Sequence, residues 1–135
     1  MTTRLQAWLR QAENDLAMAS HARSGGFHAQ CCYHCSQAAE KALQGLLIAL
    51  GEEPTRSHAL ERMVDALAAT GLPVDSFRQL PLKSLSRMTT ASRYPDGDEP
   101  PMDLFESRDC ELALETAAAV LRLVDEALDS PVPEA

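Results

Sequence analysis

The stretch that decides the fold is residues 26–47, GFHAQCCYHCSQAAEKALQGLL. It begins with the second glycine of a Gly-Gly pair, contains no proline, and is rich in Ala, Leu and Gln, which have high helix propensity. A glycine follows this stretch at position 51 and is a typical helix stop. The stretch therefore predicts a helix from about His28 to Leu50.

This helix has two different faces when its residues are projected at about 100° each. One arc carries small and apolar side chains, namely Cys31, Cys35, Ala38, Ala39, Ala42, Leu43, Leu46 and Leu50. The opposite arc carries hydrogen-bonding groups, namely Tyr33, His34, Gln37, Glu40, Lys41 and Gln44. The first arc predicts close packing against a neighbouring helix. The second is compatible with a solvated face, a polar cleft or a dimer interface.

Four further helices are predicted between breaks that are rich in Gly and Pro. Their expected ranges are Thr3 to Arg23, Ser57 (as the N-cap) to Gly71, Asp75 to Ser92, and a start between Asp103 and Ser107 to Leu128. Pro81 either kinks the fourth helix of the chain or occupies its true first turn. No segment alternates like a strand. We therefore predict an all-α fold, an up-and-down antiparallel bundle of four to five helices, with one domain over residues 1–130 and a frayed tail over 131–135.

The charge balance limits the class of partner. The chain has 135 residues, with 12 Lys and Arg against 20 Asp and Glu, which gives a net charge of −8. This acidity argues against a DNA coat protein and against a basic membrane-surface protein. No apolar run approaches the ~18 residues of a membrane span, and no signal-peptide pattern is present. We expect a cytoplasmic protein without membrane contact.

Four cysteines stand at positions 31, 32, 35 and 110. Without a secretory context, the expected state is four reduced thiols that act as small core residues. The alternative is a zinc site, because His28, Cys31 and Cys35 project onto one arc of the helix. No second pair of ligands accompanies them, so we predict neither a metal nor a cofactor.

Residues 26–47 resemble the "G-x-Y…Q-A-A-E-K-A-L-K" helix of the HEPN family, the higher-eukaryote and prokaryote nucleotide-binding domain. Three further elements resemble that family in the same order along the chain, and the resemblance covers about residues 4–128. They are Trp8 with Asp15-Leu16, Ser57-His58-Ala59-Leu60 as a "T-H-x-L" element, and Arg93-Tyr94-Pro95-Asp96 as an "R-Y-P-D" element.

The resemblance implies a helical bundle that is often dimeric, and bacterial members are often encoded with a minimal nucleotidyltransferase in toxin–antitoxin-type modules. We therefore expect a homodimer with a nucleotidyltransferase partner. We expect the present chain to associate with a nucleotide or single-stranded RNA and to show no or weak catalysis alone. The alternatives are a metal-independent endoribonuclease toxin and a nucleotide-sensing binding module.

Ribonuclease members of the family carry an Arg, a polar residue, and a His four to six residues after the Arg. In this chain no histidine follows Arg93. The literal match is Arg23 with His28, which straddles the turn between the first two helices. The usual ribonuclease motif is therefore missing from its expected position.

The candidate phosphate-binding residues are Lys41, Arg93, Arg56 and Gln37. Arg56 and a Ser57 cap would favour an anion at a helix N-terminus, and the planar guanidinium of Arg93 suits a phosphate. If the protein is a ribonuclease, the candidate catalytic residues are Arg93, His58 and Tyr94.

A structural interpretation stands beside each of these candidates. His58 would be a packed histidine bonded to a neighbouring helix. Arg93 would bridge a carboxylate such as Glu40, and Tyr94 would cover the core. We expect Glu40 to be an ion-pair partner rather than a general base.

Overall fold

The computed structural model describes residues 3–55 and 57–129. Within these ranges the chain forms seven helices and no strand, which confirms the predicted all-α fold. The helices are α1 (Arg4–Ser24), α2 (His28–Ala49), α3 (Leu60–Ala69), α4 (Asp75–Arg78), α5 (Leu82–Ala91), α6 (Pro101–Leu104) and α7 (Ser107–Asp129). Because α4 and α6 are single turns, the bundle itself consists of α1, α2, α3, α5 and α7.

The helix predicted from residues 26–47 lies at the centre of the bundle. α2 packs against α1, α3, α5 and α7. Its apolar arc is buried, as predicted, and Gly51 ends it with a φ of 83°. This conformation is easy for glycine and strained for other residues, so the helix stops where the sequence indicates. The central position of α2 explains why several of its polar side chains contact other elements.

The interface between α1 and α2 is close because a glycine lies in it. A Cβ atom added to Gly45 would lie 3.2 Å from Cδ2 of Leu9 and 3.4 Å from Cβ of Trp8. At the same end of the helix, α1 begins with a capping box. Thr3 Oγ1 accepts a hydrogen bond from the Gln6 amide, and Gln6 Oε1 accepts one from the Thr3 amide. Both bounds of α1 lie within one residue of the predicted ones.

The predictions for α3 and for the helix after it need correction. Ser57 is not the N-cap of α3, since the helix starts at Leu60, whose amide donates to Ser86 Oγ on α5 at 2.8 Å. The predicted helix from Asp75 to Ser92 is two helices. Pro81 directly precedes α5, because a proline lacks the amide that a continuous helix needs at this point.

The cysteines divide into two pairs. Cys31 and Cys110 form a disulfide, so the prediction of four reduced thiols is wrong for these two. Cys32 and Cys35 are free and buried, as predicted. Burial raises the pKa of each to about 12, and the charge of Asp109 adds to the effect at Cys32.

The predicted tail, Pro131–Ala135, lies outside the described residues. None of the helices in the described part of the chain has the length and apolar character of a membrane span.

Candidate functional site

A cavity of about 520 Å³ opens between α2, α3 and α5. Most of its lining side chains are polar or charged. They are Tyr33 and Gln37 on α2; His58 and Ala59 before α3; Glu61 on α3; Lys83, Ser86, Arg87, Thr89 and Thr90 on α5; and Arg93 just after α5. A polar cleft is therefore the interpretation of the α2 polar arc that fits the fold.

Positive charge gathers along the α5 wall of this cavity. Lys83 and Arg87 are four residues apart and so lie on one face of the helix, while Leu82 and Leu85 are buried on the other. None of Lys83, Arg87 and Arg93 forms an ion pair with a described acidic residue. Glu61 is the acidic residue of the lining, so the walls carry a net positive charge in a protein of net charge −8.

Arg93 contacts two aromatic rings. Its guanidinium carbon lies 4.7 Å from the centre of the Tyr33 ring and 5.1 Å from the centre of the Tyr94 ring. Its Nε donates to the Thr89 carbonyl at 2.8 Å. Cation–π contacts of this kind orient the guanidinium without neutralising it. The expected bridge from Arg93 to Glu40 is therefore wrong.

Glu40 instead contacts His58 at the edge of the cavity. Nδ1 of His58 lies 2.7 Å from Oε1 of Glu40, which is buried on α2. An ionised carboxylate can only accept, so Nδ1 donates and Nε2 stays available to a ligand or to solvent. His58 precedes α3, whereas an N-cap at Ser57 would have placed it inside the helix. Its bond to a neighbouring helix agrees with the structural interpretation, but its side chain is mostly exposed rather than packed.

The loop that carries His58 is fixed by Gln44, which is almost fully buried. Gln44 Nε2 donates to the Thr55 carbonyl at 3.0 Å, and its Oε1 accepts from the Thr55 amide at 3.0 Å. The Gln44 amide thus satisfies both backbone groups of Thr55, as the backbone of a neighbouring β-strand would. Burial of Glu40 and Gln44 excludes the solvated-face interpretation for this part of α2.

The family model of the HEPN domain matches residues 5–127. The chain belongs to the HEPN family. Two solved structures resemble this HEPN protein over nearly their whole length. No curated protein matches the chain significantly.

TT1696 from Thermus thermophilus is 30% identical to the chain, with a TM-score of 0.78, over 94% of this chain and 99% of that one. ST0689, an archaeal HEPN homologue, is 32% identical, with a TM-score of 0.75, over 92% of this chain and 97% of that one.

Three of the predicted site residues line the cavity of this HEPN domain, namely Gln37, His58 and Arg93. Tyr94 does not line it and does not cover the core, since its ring is exposed and contacts Arg93. Lys41 is directed away from the cavity, to Asp15 on α1 at 2.5 Å. Arg56 lies outside the described residues.

The other sequence candidates fall at different places in the HEPN bundle. Arg23 pairs with Glu111 on α7, and neither Arg23 nor His28 lines the cavity, so the literal Arg–His match has no part in it. Among the described residues, no group of three metal-binding side chains is close enough to hold an ion. Cys31, a ligand of the zinc alternative, is committed to the disulfide.

Sequence reasoning missed Lys83 and Arg87, which form the basic wall. The signal was present, because Leu82 and Leu85 alternate with Lys83 and Arg87 at helical spacing. Treating residues 75–92 as one helix across Pro81 obscured this pattern. Lys83 and Arg87 line a cavity only because α5 packs against α2, which is distant in the sequence.

Proposed function

We propose that the cavity between α2, α3 and α5 binds the phosphate of a nucleotide or of single-stranded RNA. The observation that carries this proposal is the set of three cations without ion-pair partners among the described acidic residues, Lys83, Arg87 and Arg93, along one wall. Like charges gather on an acidic protein at a cost in repulsion, and an anionic ligand removes that cost. Arginine adds paired donors that match phosphate oxygens.

The rest of the lining suits a nucleoside better than a bare phosphate. Tyr33 offers an aromatic ring on the lining, and the guanidinium of Arg93 lies against this ring. Gln37, Thr89 and Thr90 offer donors and acceptors that can pair with base or ribose edges. Stacking together with edge contacts is how proteins read unpaired nucleotides. A nucleotide should therefore bind more tightly than phosphate.

Calorimetric titration with AMP and with inorganic phosphate tests the proposal. Arg87→Ala and Arg93→Ala should each weaken AMP binding roughly tenfold, the usual effect of losing a charge-assisted hydrogen bond. Arg78→Ala is the matched control, because Arg78 pairs with Asp65 outside the cavity. Equal losses in all three variants, or no binding of AMP, would defeat the proposal. Added salt should weaken binding further.

A metal-independent ribonuclease is the second candidate, and the Glu40–His58 pair favours it. A histidine oriented by a carboxylate can accept the proton of a ribose 2′-hydroxyl through its other ring nitrogen. Arg93, on the lining of the same cavity, can stabilise charge on the phosphate as the new bond forms. The proton donor for the leaving oxygen has no counterpart at the usual family position. We therefore expect little or no cleavage by this chain alone.

Incubation of the purified protein with single-stranded RNA in EDTA separates the two candidates. Binding without cleavage supports the first. Robust cleavage that is abolished by His58→Ala and by Arg93→Ala supports the second. His21→Ala is the control for the first variant, since His21 is exposed on α1. Cleavage that survives both cavity variants would place the chemistry outside this cavity or in a contaminant.

We further propose that the protein works as a homodimer with a minimal nucleotidyltransferase partner. The family resemblance motivates both partners. The net charge of −8 suits a basic partner surface, and Phe27, Met102 and Leu104 are exposed apolar side chains. Light scattering should give twice the mass of one chain. A nucleotidyltransferase encoded next to this chain should co-elute with it. A monomer at all concentrations would contradict the dimer.

A further inference from the structure

The disulfide joins the first turns of two long helices. Cys31 is the fourth residue of α2 and Cys110 the fourth residue of α7, with 79 positions between them in the sequence. Their Cα atoms are 5.9 Å apart, within the range that a disulfide requires. Both side chains are fully buried. This bond therefore connects the end of the bundle where the chain enters α2 and α7.

The segment between α5 and α7, residues 92–106, is attached to the start of α2 at both of its ends. At one end, Arg93 stacks on Tyr33, two residues after Cys31. At the other end, Cys110 is bonded to Cys31 itself. The segment from residue 94 to residue 106 has five acidic residues and no basic one. The segment thus carries negative charge and follows directly after Arg93, a residue of the cavity lining.

The two free cysteines are unable to rearrange this bond easily. A thiolate, not a thiol, attacks a disulfide. Burial raises the pKa of Cys32 and Cys35 to about 12, so both stay protonated near neutral pH. The pairing of Cys31 with Cys110 thus responds to an external thiol rather than to its neighbours.

We propose that the Cys31–Cys110 bond is a redox switch that sets how firmly residues 92–106 are held. On the strength of the proposed function, it also sets how tightly the cavity binds an anion. In the reducing direction, local opening at the first turns of α2 and α7 exposes the buried bond. One thiolate of an external dithiol then attacks a sulfur of the bond and forms a mixed disulfide. The second thiolate then releases the protein. Two electrons pass to the protein, Cys31 and Cys110 each take a proton, and the dithiol leaves as its own disulfide.

Reduction loosens one attachment of residues 92–106, while the contacts of α6 with α2 and of Phe105 with the core remain. Arg93 then loses part of the restraint that keeps it on Tyr33, and the acidic segment gains freedom to approach the cations of the cavity. Both effects lower the affinity for an anion. The oxidised form is therefore the form that binds AMP more tightly.

Thermal melting and hydrogen exchange with and without dithiothreitol test the switch itself, independent of any ligand. The oxidised protein should have two free thiols when denatured, and the reduced protein four. Reduction should lower the melting temperature by on the order of 10 °C, as expected for a bond that closes a long loop. Exchange of backbone amides in residues 92–109 should accelerate on reduction, more than exchange in α3.

Two variants make this result specific to one bond. In Cys110→Ser the melting temperature should no longer depend on dithiothreitol, whereas Cys32→Ala/Cys35→Ala should keep the full dependence. Four free thiols after treatment with oxidised glutathione, or an unchanged dependence in Cys110→Ser, would overturn the proposal. If Cys110→Ser fails to fold, the wild-type melting and exchange measurements still decide.

The effect on the cavity has its own readout. Reduction should weaken AMP binding several-fold in the wild-type protein. Equal AMP affinity in the two forms would overturn the link between the bond and the cavity. If AMP binds to neither form, the proposed function fails, while melting and exchange still report on the switch.

Discussion

Lys41 on α2 reaches Asp15 on α1, with 2.5 Å between Nζ and Oδ2. Both side chains are largely buried, and Gln11 donates a second hydrogen bond to Asp15. The preceding residue, Glu40, contacts His58 at the cavity instead. Two adjacent charged residues of α2 therefore contact different parts of the bundle, because consecutive helix positions point about 100° apart.

The Asp15–Lys41 pair should be important for stability. In Lys41→Met, the Asp15 carboxylate stays largely buried with only Gln11 as partner, so the free energy of unfolding should fall by about 1–3 kcal/mol. Arg78→Ala, which breaks the exposed pair with Asp65, should change it by less than ~0.5 kcal/mol. Urea unfolding followed by circular dichroism measures both. Equal effects of the two variants would contradict a special role for the buried pair.

Ser86 should stabilise the start of α3 although it lies on α5. Its hydroxyl accepts from the Leu60 amide and donates to Glu61. Ser86→Ala leaves the first amide of α3 without this partner, and the loss should be about 1 kcal/mol, as for an N-cap residue. Ser84→Ala on the exposed side of α5 is the control. If the two variants have the same melting temperature, Ser86 does not stabilise the start of α3.

Gly45 should resist replacement by a large side chain. Leu9 and Trp8 occupy the space beside it, so Gly45→Leu forces α1 and α2 apart and should cost about 1–3 kcal/mol. Ala49→Leu tests a similar addition at an exposed position of the same helix and should be nearly neutral. Denaturant unfolding of the pair gives the comparison. A neutral Gly45→Leu would mean that the interface is looser than the contacts indicate.

Stability should fall in alkali because of Cys32 and Cys35. Their pKa is about 12 in the folded protein, against 9.0 for an unperturbed thiol. Below pH 9 both thiols are protonated in the folded and in the unfolded protein, so they do not make the free energy of unfolding depend on pH. Above pH 9 the unfolded chain loses protons that the folded chain keeps, so unfolding is favoured by up to ~1.4 kcal/mol per pH unit for each thiol, until about pH 12.

The control for this pH dependence is Cys32→Ala/Cys35→Ala, which removes both thiols and keeps the disulfide. Unfolding free energies measured between pH 8 and pH 11 should fall more steeply for the wild-type protein than for this variant. Parallel curves would show that other groups cause the alkaline loss.

The prediction from sequence worked best where one helix carries a strong pattern. The propensities and stops around residues 26–47 gave α2 nearly to the residue, and α1 and α7 followed from their apolar stripes. It worked least well for residues 57–92, where Pro81 divides the helix and Ser86 supplies the cap expected from Ser57. Whether a residue of a distant helix caps α3 depends on which helices pack together, and local sequence patterns do not show this.

The sequence by itself determined the helical class, the family and the two faces of α2, because propensity and periodicity are local properties of the chain. Only the tertiary structure decided which polar residues share a cavity. It brought Gln37, His58 and Arg93 together with Lys83 and Arg87, and it directed Lys41 to Asp15. It also paired Cys31 with Cys110 across 79 positions. The physical reason is that these contacts depend on how α2 is surrounded by its neighbours, and that arrangement follows from packing of the whole core rather than from spacing along one helix.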